Sequence, residues 1–188
     1  AGTNFPLLAN STLSFEVDNC FPGGEARTPG YWKNWTSAEC SGGNQYETAT
    51  KNSADIDGDG DIKGYDRIFS GWALLDDILG HGNGIYLGNF KVEDCHDGVL
   101  ILDQRELTGK NRKKASDAAY TLAMHLLAFK LNQSAGAYYC KYASEAADQG
   151  DAILAGLGYN GTGDYFKVKG NKSGPDNSKA LEIATILD

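Results

Sequence analysis

The sequence predicts a mainly α protein: a small helical bundle with long irregular, disulfide-stapled connections and a few short strands. Three observations predict it. Apolar residues recur at three- and four-residue steps in the second half of the chain, four cysteines are widely spaced, and residues 1–50 are rich in Gly, Pro, Asn and Ser. With 188 residues, 41% of them apolar, the chain can bury one core. We expect an extended N-terminal arm at 1–19 and a single helical domain at 20–188.

Four segments show the helical spacing of apolar residues, at 66–80, 114–132, 138–157 and 175–187. Gly80 and Pro175 stand where helices commonly end and begin. The break at 133–136 is short, which favours a hairpin of the second and third helices. Within 1–50 only residues 13–17 alternate between apolar and polar, so we expect short extended pieces and loops there.

Charge argues against a nucleic-acid partner, and the short apolar segments argue against membrane insertion. The chain has 25 acidic and 17 basic residues and a formal net charge of -8, so it offers little cationic surface for phosphates. The apolar stretch LAMHLLAF, at 122–129, is interrupted by His125 and is much shorter than the roughly 20 residues that span a bilayer. We therefore expect no nucleic-acid partner and no membrane insertion.

Four cysteines, Cys20, Cys40, Cys95 and Cys140, are far apart, and none belongs to a C-x-x-C pair. This spacing argues against zinc and thioredoxin-type sites. The even number favours two disulfides formed outside the cytosol, and four cysteines allow three pairings. We favour Cys20 with Cys40 and Cys95 with Cys140, and four buried thiols are the alternative.

Five asparagines stand in N-x-Ser/Thr sequons, the acceptor pattern for N-linked glycans in secreted proteins: Asn10, Asn34, Asn132, Asn160 and Asn171. Asn34 and Asn132 fall inside motif-like segments and are the best candidates for chance matches. The chain begins at AGTNFPLL without a charged signal-peptide region, as a processed secreted protein would. We therefore expect an extracellular or cell-surface location.

Residues 55–66, DIDGDGDIKGYD, match the spacing of an EF-hand-type calcium loop. The expected ligands are the carboxylates of Asp55, Asp57, Asp59 and Asp66 and the carbonyl of Asp61. Gly60 stands where such a loop turns sharply, and a register two residues later fails because Ile62 would take the glycine position. The sequence thus predicts one bound Ca2+, with a solvated acidic loop as the alternative.

This loop is more similar to the loop-helix half of a dockerin module than to a regulatory EF-hand. Its last ligand is Asp, and no strong amphipathic helix precedes it. Dockerin modules carry two such loops, whereas the acidic segment at 93–103 lacks the spacing for a second one. Dockerin function is therefore not implied, and we expect a structural calcium ion that stabilises the fold.

The segment RTPGYWKNW, at 27–35, resembles the T-x-G-[YF]-W-K-N motif of a family of secreted bacterial and archaeal proteins of uncharacterised function. LAMHLLAFKLN, at 122–132, resembles the LA-x-x-L-I-A-A-K-LN segment of that family, and ALEIATILD, at 180–188, resembles its C-terminal helix. The departures are Trp35 where the family usually has His, Phe129 in place of a small residue, and the intervening acidic loop. The resemblance implies secretion and surface association but no reaction.

Two roles are open to the aromatic residues of this motif. Tyr31, Trp32 and Trp35 could stack on sugar rings, with the neighbouring Lys and Asn as hydrogen-bond donors. Large aromatics beside Pro29 and Gly30 more often pin a loop to a helical core, and we favour that role.

No catalytic site is predicted. The sequence contains no H-E-x-x-H, G-x-S-x-G or P-loop motif. Of the three histidines, His125 lies in an apolar segment and is expected in the core. His96, between Asp94 and Asp97, is a candidate metal ligand.

Together these features favour a non-catalytic extracellular structural protein that self-assembles into a filament, surface layer or matrix, with copies of itself as partners. The arm at 1–19 supports this interpretation, because its apolar residues lack a helical period and could dock on a neighbour by strand addition. It could equally fold back on its own domain. The alternative is a secreted carbohydrate-binding or adhesion module that binds cell-surface glycans, and a hydrolase is the third class.

Overall fold

The computed structural model describes residues 20–21, 23–36, 40, 74–81, 84–166 and 175–188. The helices in these ranges are α1 (Pro29–Asn34), α2 (Leu74–His81), α3 (Cys95–Leu102), α4 (Ala118–Ser134), α5 (Lys141–Gly156) and α6 (Pro175–Leu187). The strands are β1 (Cys20–Phe21), β2 (Ile85–Leu87), β3 (Phe90–Val92) and β4 (Tyr139–Cys140). The predicted fold class is therefore confirmed. None of the described helices is long and apolar enough to cross a bilayer.

Helix α4 lies at the centre of the bundle and contacts the five other helices and β2. Leu122, Leu126 and Leu131 on this helix have no exposed surface, and each buried leucine stabilises the fold by about 1.5–3 kcal/mol. The helix begins at Ala118 rather than at the predicted residue 114, because Asp117 is its N-cap and accepts a hydrogen bond from the Ala119 amide at 3.0 Å. This apolar segment is thus the core helix, and its buried residues lie on nearly all sides rather than on the single stripe that the sequence predicted.

Gly150, in the middle of α5, is buried where this helix meets α4 and α6. A Cβ atom at this position would lie 3.3 Å from Leu122 Cδ1 and 3.5 Å from Ile183 Cγ2. Glycine costs a helix interior about 1 kcal/mol relative to alanine, and the close helix contact that it permits offsets this cost.

The antiparallel hairpin β2–β3 was not predicted from the sequence. Its turn contains Gly88, whose φ is +61° and whose added Cβ would lie 2.5 Å from the backbone nitrogen of Ala155 in α5. The Gly88 amide donates to Asp151 Oδ1 at 2.8 Å, and Lys130 Nζ donates both to Asp151 and to the Tyr86 carbonyl. The hairpin is therefore fixed to α4 and α5 through one ion pair.

The remaining predicted elements agree in part with the structure. The helix predicted at 66–80 is confirmed from Leu74, and its first residues lie outside the described ranges. The helix predicted at 138–157 begins at Lys141, because Tyr139 and Cys140 pair with β1. Within 1–50 only loops and extended pieces were expected, whereas α1 is a helix. The arm at 1–19 lies outside the described residues.

The predicted disulfide pairing is wrong. Cys40 is bonded to Cys95, with 5.7 Å between their Cα atoms, and this bond ties the segment after α1 to the first residue of α3. Cys140 is also disulfide-bonded, and its Cα partner across β1–β4 is Cys20. The pairing follows strand register and helix packing rather than nearness in sequence. No described cysteine is free, as expected in an oxidising compartment.

Candidate functional site

The motif at 27–35 forms α1 and packs against the core. Thr28 is the N-cap and accepts a hydrogen bond from the Tyr31 amide at 3.3 Å, and Pro29 supplies the fixed φ of a first helical turn. Trp32 is only 2% exposed. Tyr31 is half-buried, with the Arg27 guanidinium 5.0 Å from its ring centre. The core-anchoring role favoured for this motif therefore agrees with its geometry.

Asn132 joins the two sequence blocks that are separated by about a hundred residues. Its Oδ1 accepts hydrogen bonds from Trp32 Nε1 at 3.0 Å and from the Arg27 amide at 2.9 Å. Its Nδ2 donates to the Arg27 carbonyl at 2.9 Å. The side chain is buried, so these three bonds satisfy groups that would otherwise lose water without compensation. The segments at 27–35 and 122–132 are one structural unit.

A groove with a volume of about 200 Å3 lies between the segment before α1, helix α4, strand β4 and the end of α6, and we call it the β4 groove. Its apolar lining includes Phe129, Ala143, Ile186 and Leu187, and its polar lining includes Arg27, Gln133 and Asp188. One wall is set by backbone hydrogen bonds from the Gly24 amide to the Gly136 carbonyl at 2.9 Å and from the Tyr138 amide to the Gly24 carbonyl at 2.7 Å. The groove thus lies next to strand β1, whose Phe21 pairs with the groove residue Tyr139.

Two exposed tyrosines lie at this end of the molecule. Tyr138 lines the β4 groove and is 48% exposed, and Tyr142, in the first turn of α5, is 54% exposed. Trp32, which the sequence offered as a sugar-stacking residue, is buried, and Trp35 is half-buried. At this end of the molecule, aromatic surface for a ligand is therefore supplied by these tyrosines rather than by Trp32 or Trp35.

Asp103, just after α3, gathers three cations. Lys33 Nζ lies 2.9 Å and Lys113 Nζ 3.2 Å from its Oδ1, and Arg105 Nε donates to its Oδ2. Burial raises the pKa of this carboxyl, but the hydrogen bonds from Lys33, Arg105 and Lys113 outweigh burial and hold the pKa well below its usual value. The carboxylate stays ionised, and the cluster carries more positive than negative charge.

A pocket with a volume of about 320 Å3 opens at this cluster, and we call it the Asp103 pocket. Its lining includes Lys33, Asn34, Val99, Asp103, Arg105 and Asn111. This pocket was not predicted from the sequence. The available signal was the basic segment at 105–114, which holds five of the chain's 17 basic residues and one acidic residue.

The acidic group at the start of α3 lies at the opposite end of that helix. Asp94 is the N-cap, and its Oδ1 accepts from the Asp97 amide at 2.8 Å. Burial and the Asp94 carboxylate raise the pKa of Asp97, and His96 Nδ1 lies 3.8 Å from Asp97 Oδ1. Ligand atoms of Asp94, His96 and Asp97 lie within 4.8 Å of one another. Exposed carboxylates at a helix N-terminus are common without a metal, so this geometry alone does not assign one.

Several predicted site residues lie outside the described ranges. These are the calcium ligands Asp55, Asp57, Asp59, Asp61 and Asp66 and the sequon asparagines Asn10 and Asn171. His125, which was expected in the core, is partly buried on α4, with a side chain 14% exposed and its Nδ1 3.4 Å from Asp188 Oδ1.

The three described sequons differ in accessibility. Asn132 is buried and its amide nitrogen is hydrogen-bonded. In the sequon of Asn34, the Thr36 hydroxyl is buried and donates to Asp76 Oδ2 at 2.7 Å. Asn160 is exposed, and only its Oδ1 is engaged, by Thr162 Oγ1 at 2.8 Å and other donors.

We predict that Asn160 carries a glycan in the native protein and that Asn34 and Asn132 are bare. A glycan on Asn132 would replace the hydrogen bond from Nδ2 to the Arg27 carbonyl and bring a bulky polar group into the core. Glycopeptide mass spectrometry checks this, with Asn160→Gln as the variant that should lose the glycan mass. A glycan on Asn132 of folded protein would contradict the prediction.

Comparison with protein-family models, with curated proteins and with solved structures finds no match for this chain. The resemblance of the segments at 27–35 and 122–132 to a secreted family therefore stays a hypothesis. The structure adds that these two segments bind each other through Trp32 and Asn132.

Proposed function

We propose that the chain is a non-catalytic extracellular building block that self-assembles into a filament, surface layer or matrix. In this proposal the N-terminal arm of one copy, residues 1–19, binds in the β4 groove of the next. The observation that carries the proposal is the groove itself, an apolar channel beside the two-residue strands where the arm joins the domain.

The chemistry of the arm suits the groove. Phe5, Leu7, Leu8, Leu13, Phe15 and Val17 are its larger apolar residues, and those at 13–17 alternate with polar ones. An extended segment with this pattern can add to a strand edge while placing every second side chain in an apolar channel. Nineteen extended residues reach roughly 60 Å, which is far enough to span to a neighbouring domain of this size.

We propose a neighbouring copy as the source of the arm. Cys20 lies in β1 opposite Cys140, and Phe21 pairs with the groove residue Tyr139, so residues 1–19 precede a strand that borders the groove. When the arm of one copy docks on another, its apolar side chains leave water, and this burial favours assembly.

Disulfides and calcium fit an extracellular setting. The Cys40–Cys95 bond closes a stretch of sequence that contains the segment at 55–66, which we propose to bind calcium. Asp55, Asp57, Asp59 and Asp66, with the Asp61 carbonyl, would hold the ion, and neutralising these clustered carboxylates would stabilise the fold. We propose calcium as a structural ion here, with no part in a reaction.

Deletion of residues 1–12 tests the assembly. We expect the full-length chain, glycosylated and with calcium present, to form particles much larger than a monomer in sedimentation velocity and polymers in negative-stain images. The deleted chain should form no polymers and should keep an unchanged far-ultraviolet circular dichroism spectrum. A synthetic peptide of residues 1–19 should bind to the deleted chain and slow assembly of the full-length protein.

The matched control is Leu181→Ser, which removes an apolar side chain that is 44% exposed and lies outside the groove. It should assemble like the unaltered chain. Adding a calcium chelator should lower the melting temperature of both the Leu181→Ser variant and the unaltered chain. A full-length chain that remains monomeric at high concentration, or a deleted chain that assembles normally, would overturn the proposal.

The second candidate function is carbohydrate binding, which the exposed Tyr138 and Tyr142 favour. Exposed aromatic rings beside a groove can stack on sugar rings. A glycan array separates the two candidates, because Tyr142→Ala would abolish saccharide binding in this case and would leave arm-dependent assembly intact.

A further inference from the structure

The Asp103 pocket has unused positive charge and unused hydrogen-bond donors. Lys33, Arg105 and Lys113 share one carboxylate, so the cluster holds two positive charges in excess. Lys33 Nζ donates one described hydrogen bond of the three that an ammonium can make. The amide-bearing Asn34 and Asn111 line the same pocket. Such a lining favours a ligand that brings carboxylates.

The remainder of this chain is rich in the complementary charge. Outside the basic segment at 105–114 the sequence has 24 acidic and 12 basic residues. Among the described residues, Glu93, Asp94 and Asp97 lie within one turn at the start of α3, and the Glu93 side chain is 66% exposed. Glu93 pairs with Lys91 Nζ at 2.6 Å, whereas the Asp94 carboxylate raises the pKa of Asp97. A cation from outside would relieve the repulsion between Asp94 and Asp97.

We propose that the Asp103 pocket of one copy binds the acidic group Glu93, Asp94 and Asp97 of a second copy. The contact forms charge-assisted hydrogen bonds from Lys33 and Lys113 to these carboxylates. A long acidic polysaccharide fits less well, because its whole length would lie against a chain of net charge -8, whereas this contact needs only a local match.

This inference rests on the proposed function, since it adds a second contact between the same building blocks. The pocket lies at the end of α3 and the acidic group at its beginning, about 12 Å apart along an eight-residue helix. Two different surfaces in contact make a heterologous interface, which can repeat from copy to copy without closing. The arm and this contact would then link copies by separate means.

Zero-length carbodiimide cross-linking tests the contact, because it joins an amine to a carboxylate only when they touch. Full-length chains labelled with light and heavy nitrogen are mixed, cross-linked and digested. We expect mixed-label peptides that join Lys33 or Lys113 to residues 93–97. Links from Lys33 to Asp103 carry one label only and serve as the internal control.

Charge-neutral variants give the quantitative test. Lys33→Gln with Lys113→Gln, and separately Glu93→Gln with Asp97→Asn, should each weaken association about tenfold, as should roughly 1 M salt. Lys110→Gln is the matched control, because Lys110 is exposed in the same basic segment but is not one of the three cations paired with Asp103, and it should have little effect.

The outcomes separate this contact from the arm. Assembly of the full-length chain without these links overturns the contact and leaves the proposed function standing. Links in the chain lacking residues 1–12, at high concentration and without polymers, support the contact even if arm docking is wrong. Alginate that binds in a manner dependent on Lys33, with no mixed-label links, overturns the contact and makes the pocket a saccharide site.

Discussion

Removing the Cys40–Cys95 disulfide is expected to lower the free energy of unfolding by about 4 kcal/mol. The bond closes a loop with a sequence separation of 55, and restricting a loop of that length in the unfolded chain accounts for a loss of this order. Cys40→Ala with Cys95→Ala, unfolded in urea without reductant, measures it. The buried Cys40 tolerates alanine better than serine, which would place an unpaired hydroxyl in the core.

Peptide mapping without reduction checks the pairing that underlies this expectation. We expect Cys40 linked to Cys95 and, from the β1–β4 register, Cys140 linked to Cys20. The matched variant, Cys20→Ala with Cys140→Ala, opens a longer loop and should cost at least as much. A peptide pair joined by Cys20 and Cys40 would contradict the bond from Cys40 to Cys95 at the start of α3. Alkylation of all four cysteines under denaturing, non-reducing conditions would contradict an oxidising compartment.

The helices that the sequence predicted well are the long ones with spaced apolar residues. In α4 alanines and leucines recur over several turns, and the buried residues lie on nearly all sides of the helix, so the length of this apolar segment favours a helix. In α3 the apolar residues at 99–102 are consecutive and follow an acidic start, and such a short run does not distinguish a helix from a strand. The β2–β3 hairpin depends on Gly88 fitting against α5, which is a tertiary contact.

The β4 groove and the Asp103 pocket were harder to predict, because they too depend on tertiary contacts. Lys33 and Asp103 are 70 residues apart in sequence and meet only because α1 packs beside α3. Asn132 had a local signal, since a polar residue at the end of a buried stripe requires a partner. The sequence did not indicate that this partner is Trp32. The predicted cysteine pairing was wrong for the same reason, because the register of β1 and β4 and the position of α3 determine which cysteines meet.

Trp32→Ala is expected to destabilise the protein by about 3–5 kcal/mol, because the indole is 2% exposed and its loss leaves a large cavity under α1. The substitution also removes one donor from Asn132 Oδ1, which keeps the Arg27 amide. Urea unfolding followed by circular dichroism measures the change. Tyr142→Ala is the control, since that ring is 54% exposed and should change stability by less than about 0.5 kcal/mol.

Trp32→Phe separates the volume of the indole from its hydrogen bond. Phenylalanine keeps most of the buried apolar surface but has no donor for Asn132, so we expect a loss of about 1–2 kcal/mol. Removing the acceptor instead, with Asn132→Ala, leaves both Trp32 Nε1 and the Arg27 amide without a partner and should cost more than Trp32→Phe. If Trp32 stacked on a ligand rather than holding α1 to α4, Trp32→Ala would leave stability unchanged and reduce saccharide binding instead. A stable Trp32→Ala chain would therefore contradict the anchoring role and, with it, the link between the two sequence motifs.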